Sequence, residues 1–346
     1  MAILNERLTE TVQRALNRAV SLYLFDPNVS LIDLGLRIRD SQGQKLEEEL
    51  CVRVHVRQKL YAEAFEAFAA RYPERVIDPK RVGFVVDVPA GNYHVHSWPW
   101  WSWYQPVPTG PRGRVFNPMR GGISISNALK FGYGTLGGQV VERETGVEMI
   151  LSNWHVLVDS WSIRPGLPIY QPGQGDGGGA QYTVARFTRH AMDQFIDAAV
   201  AELTGPRSLI NEQLGLGPVT GVTQPVLGLI VTKSGRRTGV TSGVITGIDG
   251  RQVMTYAGVQ RVIRHVVHIA GTPNGAQVSD KGDSGAWWLE QETRQAVGLH
   301  FAGSDLPEYG LAIAMPPVLD ALNVDIVTSP QPVMTTPVRR VEPAIR

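Results

Sequence analysis

Lys281-Gly282-Asp283-Ser284-Gly285-Ala286 places one serine between two glycines, with an aspartate immediately before it. A serine hydroxyl is a weak nucleophile at neutral pH. Acyl transfer by such a serine needs a base to take its proton and donors set in advance for the oxyanion. Gly282 has no Cβ, so the amides of Gly282 and Ser284 can turn toward one point and make that donor pair. Asp283 within the same turn is costly to bury unpaired, and calls for a cation or backbone amides around it. An ordinary polar loop can have the same composition, so the tetrapeptide needs support from elsewhere in the chain.

Two other stretches supply it. Met149-Ile150-Leu151-Ser152-Asn153-Trp154-His155-Val156-Leu157 is an apolar run that delivers a histidine at a strand end, and Phe195-Ile196-Asp197-Ala198-Ala199-Val200-Ala201 delivers an aspartate in an apolar strand. Taken singly, His155 reads as a structural histidine and Asp197 as a strand cap. Taken together, histidine, aspartate and serine follow the chain order of chymotrypsin-type triads, not that of subtilisins or α/β-hydrolases.

The three segments resemble the LSNxHV, DxAxA and GDSG blocks of trypsin-like (chymotrypsin-fold) serine peptidases, over roughly residues 121–322. Within that span, 120–125, 134–137, 151–157 and 233–239 look like the intracellular bacterial relatives of the plant narrow-leaf protease. The resemblance implies a mainly β, chymotrypsin-like double β-barrel with the catalytic cleft between the barrels. It implies His155 as general base and acid, Asp197 orienting its imidazole, Ser284 as nucleophile, and the Gly282 and Ser284 amides as oxyanion hole. No cofactor or metal is required. Ala286 departs from the second glycine that many relatives carry after the serine. Relatives that mature by cleavage offer a freed N-terminal amine to the aspartate of this turn; here Arg236 and Arg237 read as solvated or as that cation, and an enzyme that is not a zymogen is expected.

Specificity follows the same resemblance. Val278 stands six residues before the serine, where trypsins have an aspartate, so a Lys or Arg side chain finds no partner there. Gly298-Leu299-His300-Phe301-Ala302-Gly303 is similar to the GxHxxG segment of bacterial glutamyl endopeptidases and picornavirus-type proteases, where the histidine reads Glu or Gln. Ser279 sits where those families place a hydroxyl partner. An imidazole and a hydroxyl select an acid or amide because an analogue lacking that group leaves them unsatisfied. A core histidine bonded to backbone is the other reading of His300.

Composition narrows the rest. The chain has 346 residues, 43% of them hydrophobic, which is enough for two or three cores, and a formal charge of +1. So even a balance advertises neither nucleic acid nor an anionic membrane. Cys51 is the only cysteine, so no intrachain disulfide forms, and no apolar run approaches the length of a membrane helix. A cytoplasmic protein acting on protein or peptide substrates is expected, with a second copy of the chain or a regulatory protein left open as partner.

The expected organisation is an α+β domain over 1–90, a Trp/Pro-rich linker over 91–120, a first barrel with His155 and Asp197 over 121–220, a second barrel with Ser284 over 221–325, and a Pro-rich tail over 326–346. Leu8, Val12, Ala15, Leu16, Ala19, Val20 and Tyr23 recur at helical spacing, and Tyr61, Phe65 and Phe68 mark a second helix. Val52, Val54 and Val56 alternate with Arg53, His55 and Arg57 as a half-buried strand does. Trp98, Trp100, Trp101, Trp103 and Tyr104 crowd among prolines, either as a pinned linker or as a peptide-binding surface. His94 and His96 fit strand alternation better than a metal site. The glycine-rich run at 171–179 is expected to be a flexible loop edging the cleft. The rivals to an active enzyme are a scaffold of the same fold and a protease held latent until a partner arrives.

Overall fold

The computed structural model describes residues 6–39, 47–95, 110–272, 276–304 and 309–328. The Trp/Pro cluster at 96–109, His96 and the tail from 329 lie outside them. The fold is mainly β and chymotrypsin-like in plan, with two large sheets, one beside His155 and Asp197 and the other beside Ser284, and a small third sheet of Met119–Gly121, Leu209–Gln213 and Gly217–Pro218.

The first sheet has eight strands. Glu148–Ser152 is paired with Gly138–Glu142 on one side and Ala199–Leu203 on the other, and Thr183–His190, Pro168–Tyr170 and Ser124–Asn127 follow. Ser124–Asn127 then pairs with Gly134–Thr135, which leads within two residues back into Gly138–Glu142. The sheet therefore curls into a ring filled by Ile125, Val140, Ile150, Val184 and Val200.

The second sheet has eleven strands. Ile230–Gly235, Trp287–Glu290, Gln295–Ser304, Tyr309–Ala314, Val259–Gly271 and Gly239–Tyr256 are neighbours in that order, and Gly239–Tyr256 pairs again with Ile230–Gly235, which closes a barrel. The hairpin of Gly239–Tyr256 and Val259–Gly271, with strands of 18 and 13 residues, is longer than strands usually run. Its extra length receives the N-terminal strands: Ile32 faces Arg251 and Gly35 faces Gly247.

The separate α+β domain expected over 1–90 is corrected accordingly. Helix Glu6–Tyr23 packs Val12, Leu16, Ala19 and Tyr23 against Ile32, Val52 and Val54 in a core of its own. Yet strands Val29–Arg39, Glu47–Val56 and Val86–Asp87 continue the second barrel's sheet, so no sheet boundary falls at 90. Helix Ala62–Arg71 buries none of its residues, and Phe65 stays exposed. At the other end, Val324–Ile326 returns to pair with Gly138–Glu142 of the first sheet. Within the expected linker, Arg112 bonds the Gly122 and Leu214 carbonyls at 3.0 Å each and the Ser234 hydroxyl at 2.5 Å, stapling the two barrels together.

Candidate active site

Strand Glu148–Ser152 ends at Asn153, and His155 lies in the single helical turn Trp154–Leu157 that follows it, not on the strand itself. Asp197 likewise precedes its strand, in the turn before Ala199–Leu203. Pairing of these two strands, Ser152 against Ala199, brings the two turns together. Asn153 Nδ2 donates to the Asp197 carbonyl at 2.8 Å and the His155 amide donates to Asp197 Oδ1 at 3.2 Å. His155 Nδ1 then meets Asp197 Oδ2 at 2.6 Å, with both side chains buried. A carboxylate on Nδ1 fixes the proton there and leaves Nε2 as the basic nitrogen.

Ser284 reaches the same place from the other sheet. His155 and Ser284 line one small cavity with Ser126, Lys130, Tyr133, Gly134 and Val156. Nε2 of His155 makes no hydrogen bond among the described residues, and the Ser284 hydroxyl lies 3.4 Å from the Phe301 carbonyl.

The first sheet grips the serine turn. The Thr135 amide donates to the Ser284 carbonyl at 2.8 Å, and Thr135 Oγ1 donates to the Gly282 carbonyl at 2.9 Å. Gly282 sits at φ +110°, in the region that favours glycine, and a Cβ there would run into the Tyr133 ring. Gly282 and Ser284, the expected oxyanion donors, thus lie on a backbone held from both sides.

Asp283 explains the turn's shape. Its partners are Lys233 Nζ at 2.9 Å, Thr238 Oγ1 at 2.6 Å, and the amides of Arg237, Thr238 and Asp280 at 2.8 to 3.1 Å. Burial opposes ionisation of its carboxyl, but the Lys233 ammonium and these donors outweigh it and hold the pKa well below the usual carboxylate range. The cation is therefore Lys233, not Arg236 or Arg237. Arg237 pairs instead with Asp280 at 3.1 Å.

Arg236 forms a two-pronged, buried pair with Asp176 and lies 3.8 Å over the Tyr133 ring. Asp176 belongs to the glycine-rich run, which is thereby corrected from a flexible loop to a fixed one. Gly173 N donates to Ser124 Oγ at 3.0 Å, Gly175 N to the Gly132 carbonyl at 2.8 Å, and Gln174 Nε2 to the Asn127 carbonyl at 3.1 Å. Through Arg236 the run braces Tyr133, which lines the serine's cavity.

Sequence reasoning missed Tyr256. It is buried beside the imidazole, 6.2 Å between rings, and its hydroxyl lies 3.8 Å from the Met254 thioether. Burial first, and the neighbouring Asp197 charge second, push its phenol pKa well above the ordinary value, so it stays a donor. Lys233 and Thr135 were missed too. The only sign of Lys233 was a lysine in an otherwise apolar strand start, Ile230-Val231-Thr232-Lys233.

His300 and Ser279 are both buried. His300 Nδ1 accepts from Trp288 Nε1 at 3.3 Å, which makes Nε2 the protonated nitrogen, and Gly310 leaves space beside its Cε1 and Val278. Among the described residues no cluster of three or more histidine, cysteine or acidic side chains could hold a metal ion, and no helix is long and apolar enough to cross a membrane.

No protein-family model and no curated protein matches the chain. Among solved structures, a Cellulomonas bogoriensis chymotrypsin is similar at 20% identity and TM-score 0.45, over 62% of this chain and 100% of that one. Thermobifida fusca protease A is similar at 17% identity and TM-score 0.44, over 61% and 99%. A glutamic acid-specific serine protease, described as using a histidine triad in substrate binding, is similar at 18% identity and TM-score 0.45, over 60% and 100%. At TM-scores below 0.5, none of these likenesses assigns a role to a residue here.

Proposed function

We propose that the protein is a serine endopeptidase working through an acyl-enzyme. The observation that carries this reading is the buried His155–Asp197 pair at 2.6 Å, whose imidazole shares a cavity with Ser284 on a turn locked by Lys233 and Asp283. His155 Nε2 takes the Ser284 proton as the hydroxyl attacks the scissile carbonyl. Asp197 keeps Nδ1 protonated and stabilises the imidazolium that forms. The Gly282 and Ser284 amides receive the oxyanion, His155 returns the proton to the leaving amine, and water activated by the same nitrogen completes deacylation.

On the acyl side of the cleaved bond the reading extends to Glu or Gln. The tautomer of His300 supports it, since Nε2–H is the donor a carboxylate or amide oxygen requires, and Val278 offers no charge to a basic residue. A fluorophosphonate probe on wild type and Ser284→Ala tests the nucleophile, and cleavage of a peptide library tests the preference. Labelling confined to wild type with cuts after Glu or Gln is expected. Equal labelling of both proteins removes the mechanism, and cuts without that preference remove the role of His300.

A further inference from the structure

Strand Gln295–Ser304 has two edges. One is covered along its length by Tyr309–Ala314, from Gly298 opposite Ala314 to Ser304 opposite Tyr309. The other is covered by Trp287–Glu290 only as far as Leu299, and the serine turn takes the next residue: Gly285 N donates to the His300 carbonyl and His300 N to the Ala286 carbonyl, each at 2.9 Å. From Phe301 onward this edge runs past the nucleophile, with Ser284 Oγ 3.4 Å from the Phe301 carbonyl. An extended peptide that brings a carbonyl to Ser284 meets this edge, and backbone pairing to a sheet edge holds a peptide whatever its side chains.

In this chain the edge is taken. His94–Val95 pairs antiparallel with it, His94 opposite Gly303 and Val95 opposite Ala302, and its direction carries it toward the Ser284 end. The segment leading into it is tied to the N-terminal strands. The Val56 amide donates to the Pro89 carbonyl and the Gly91 amide to the Val56 carbonyl, both at 2.9 Å, and Ser30 Oγ donates to the Gly91 carbonyl at 2.6 Å. Tyr93 is buried, and its hydroxyl lies 2.8 Å from His55 Nδ1 and 3.0 Å from His268 Nε2. Asp33 and Arg53 complete the network behind His55.

We propose that His94–Val95 is a built-in competitor for the peptide backbone, held on the substrate edge beside Ser284 by the N-terminal strands through Tyr93. This rests on the peptidase reading above. Catalysis on a polypeptide then requires the strand to leave its edge, whereas a small reagent that needs only the serine is indifferent to it.

The test compares wild type with His94→Pro/Val95→Pro, which removes the strand's amide donors. KM for a library-derived fluorogenic peptide is expected to fall about tenfold, the scale of one or two net backbone hydrogen bonds, with the rate of fluorophosphonate labelling unchanged. Labelling of both proteins with KM unchanged or raised overturns the competitor and leaves the peptidase reading standing. Absence of labelling from both removes the two together. Should the double variant fail to fold, amide exchange on wild type decides. Binding a tetrapeptide aldehyde of the best-cleaved sequence is expected to deprotect whichever of the His94 and Val95 amides faces Gln295–Ser304, and retained protection of both overturns the proposal.

Discussion

Lys233 and Asp283 form an ion pair at 2.9 Å with both side chains shut off from solvent, and the carboxylate belongs to the residue immediately before Ser284. The charge that sets the serine turn thus comes from the chain's interior, so no cleavage is needed to supply it. Removing one member of a buried pair costs about 3–5 kcal/mol because the other is left uncompensated. Lys233→Met is expected to lose stability on that scale in urea unfolding, and fluorophosphonate labelling to slow about 10²-fold or more, as when an oxyanion donor is lost. Labelling within threefold of wild type would mean the turn holds its shape on Thr238 and the backbone amides alone.

Tyr256 lies beside the imidazole, and the Asp197 charge helps push up its phenol pKa. Tyr256→Phe keeps the ring that packs against Trp154 and His155 and removes a hydroxyl dipole from beside the Asp197 charge. A fall in kcat of about tenfold with KM unchanged is expected, the size of a polar interaction lost from a charged orienting group. A change confined to KM would place Tyr256 in substrate binding instead.

Stability depends on pH through His55 and His268. Burial pushes both imidazoles below their ordinary pKa, for His55 against the pull of Asp33 and for His268 with Arg53 and His55 adding to it. The folded protein keeps them neutral, while the unfolded chain binds protons as pH falls through about 6.5. The stability they confer is therefore full above that pH and is lost below it, at about 1.4 kcal/mol per pH unit for each proton. Urea midpoints at pH 7.5 and 5.5 should fall with pH, and His268→Gln should flatten the fall; equal midpoints in wild type contradict it. Asp33, whose carboxyl the Arg53 guanidinium holds low against burial, acts in the same sense only in stronger acid.

Much of this was legible in the sequence, and for a physical reason. The residues of the serine turn and of the His155 and Asp197 segments are local patterns, and the strands around them alternate or run apolar. His94 reads as part of a strand, but its partners Ala302 and Gly303 lie about two hundred residues further on, and nothing local names them. The pairing of Lys233 with Asp283 crosses 50 residues and depends on which strands of the barrel are neighbours. Strand Val29–Arg39 reads the same whether it joins its own small sheet or another, since its partner's identity is absent from its own residues. Asp176 looked mobile because glycine surrounds it; the partner that fixes it, Arg236, is 60 residues away.

Strand Gly239–Tyr256 follows directly on Thr238, which holds Asp283, and ends at Tyr256, whose ring lies beside His155. Midway along it the N-terminal strand Val29–Arg39 is zipped on at Gly247 to Arg251. One beam thus touches the serine's mounting at one end and the imidazole's at the other, with a splint across its centre. The N-terminal strand therefore adjoins, through this one strand, both the turn that carries Ser284 and the ring beside His155.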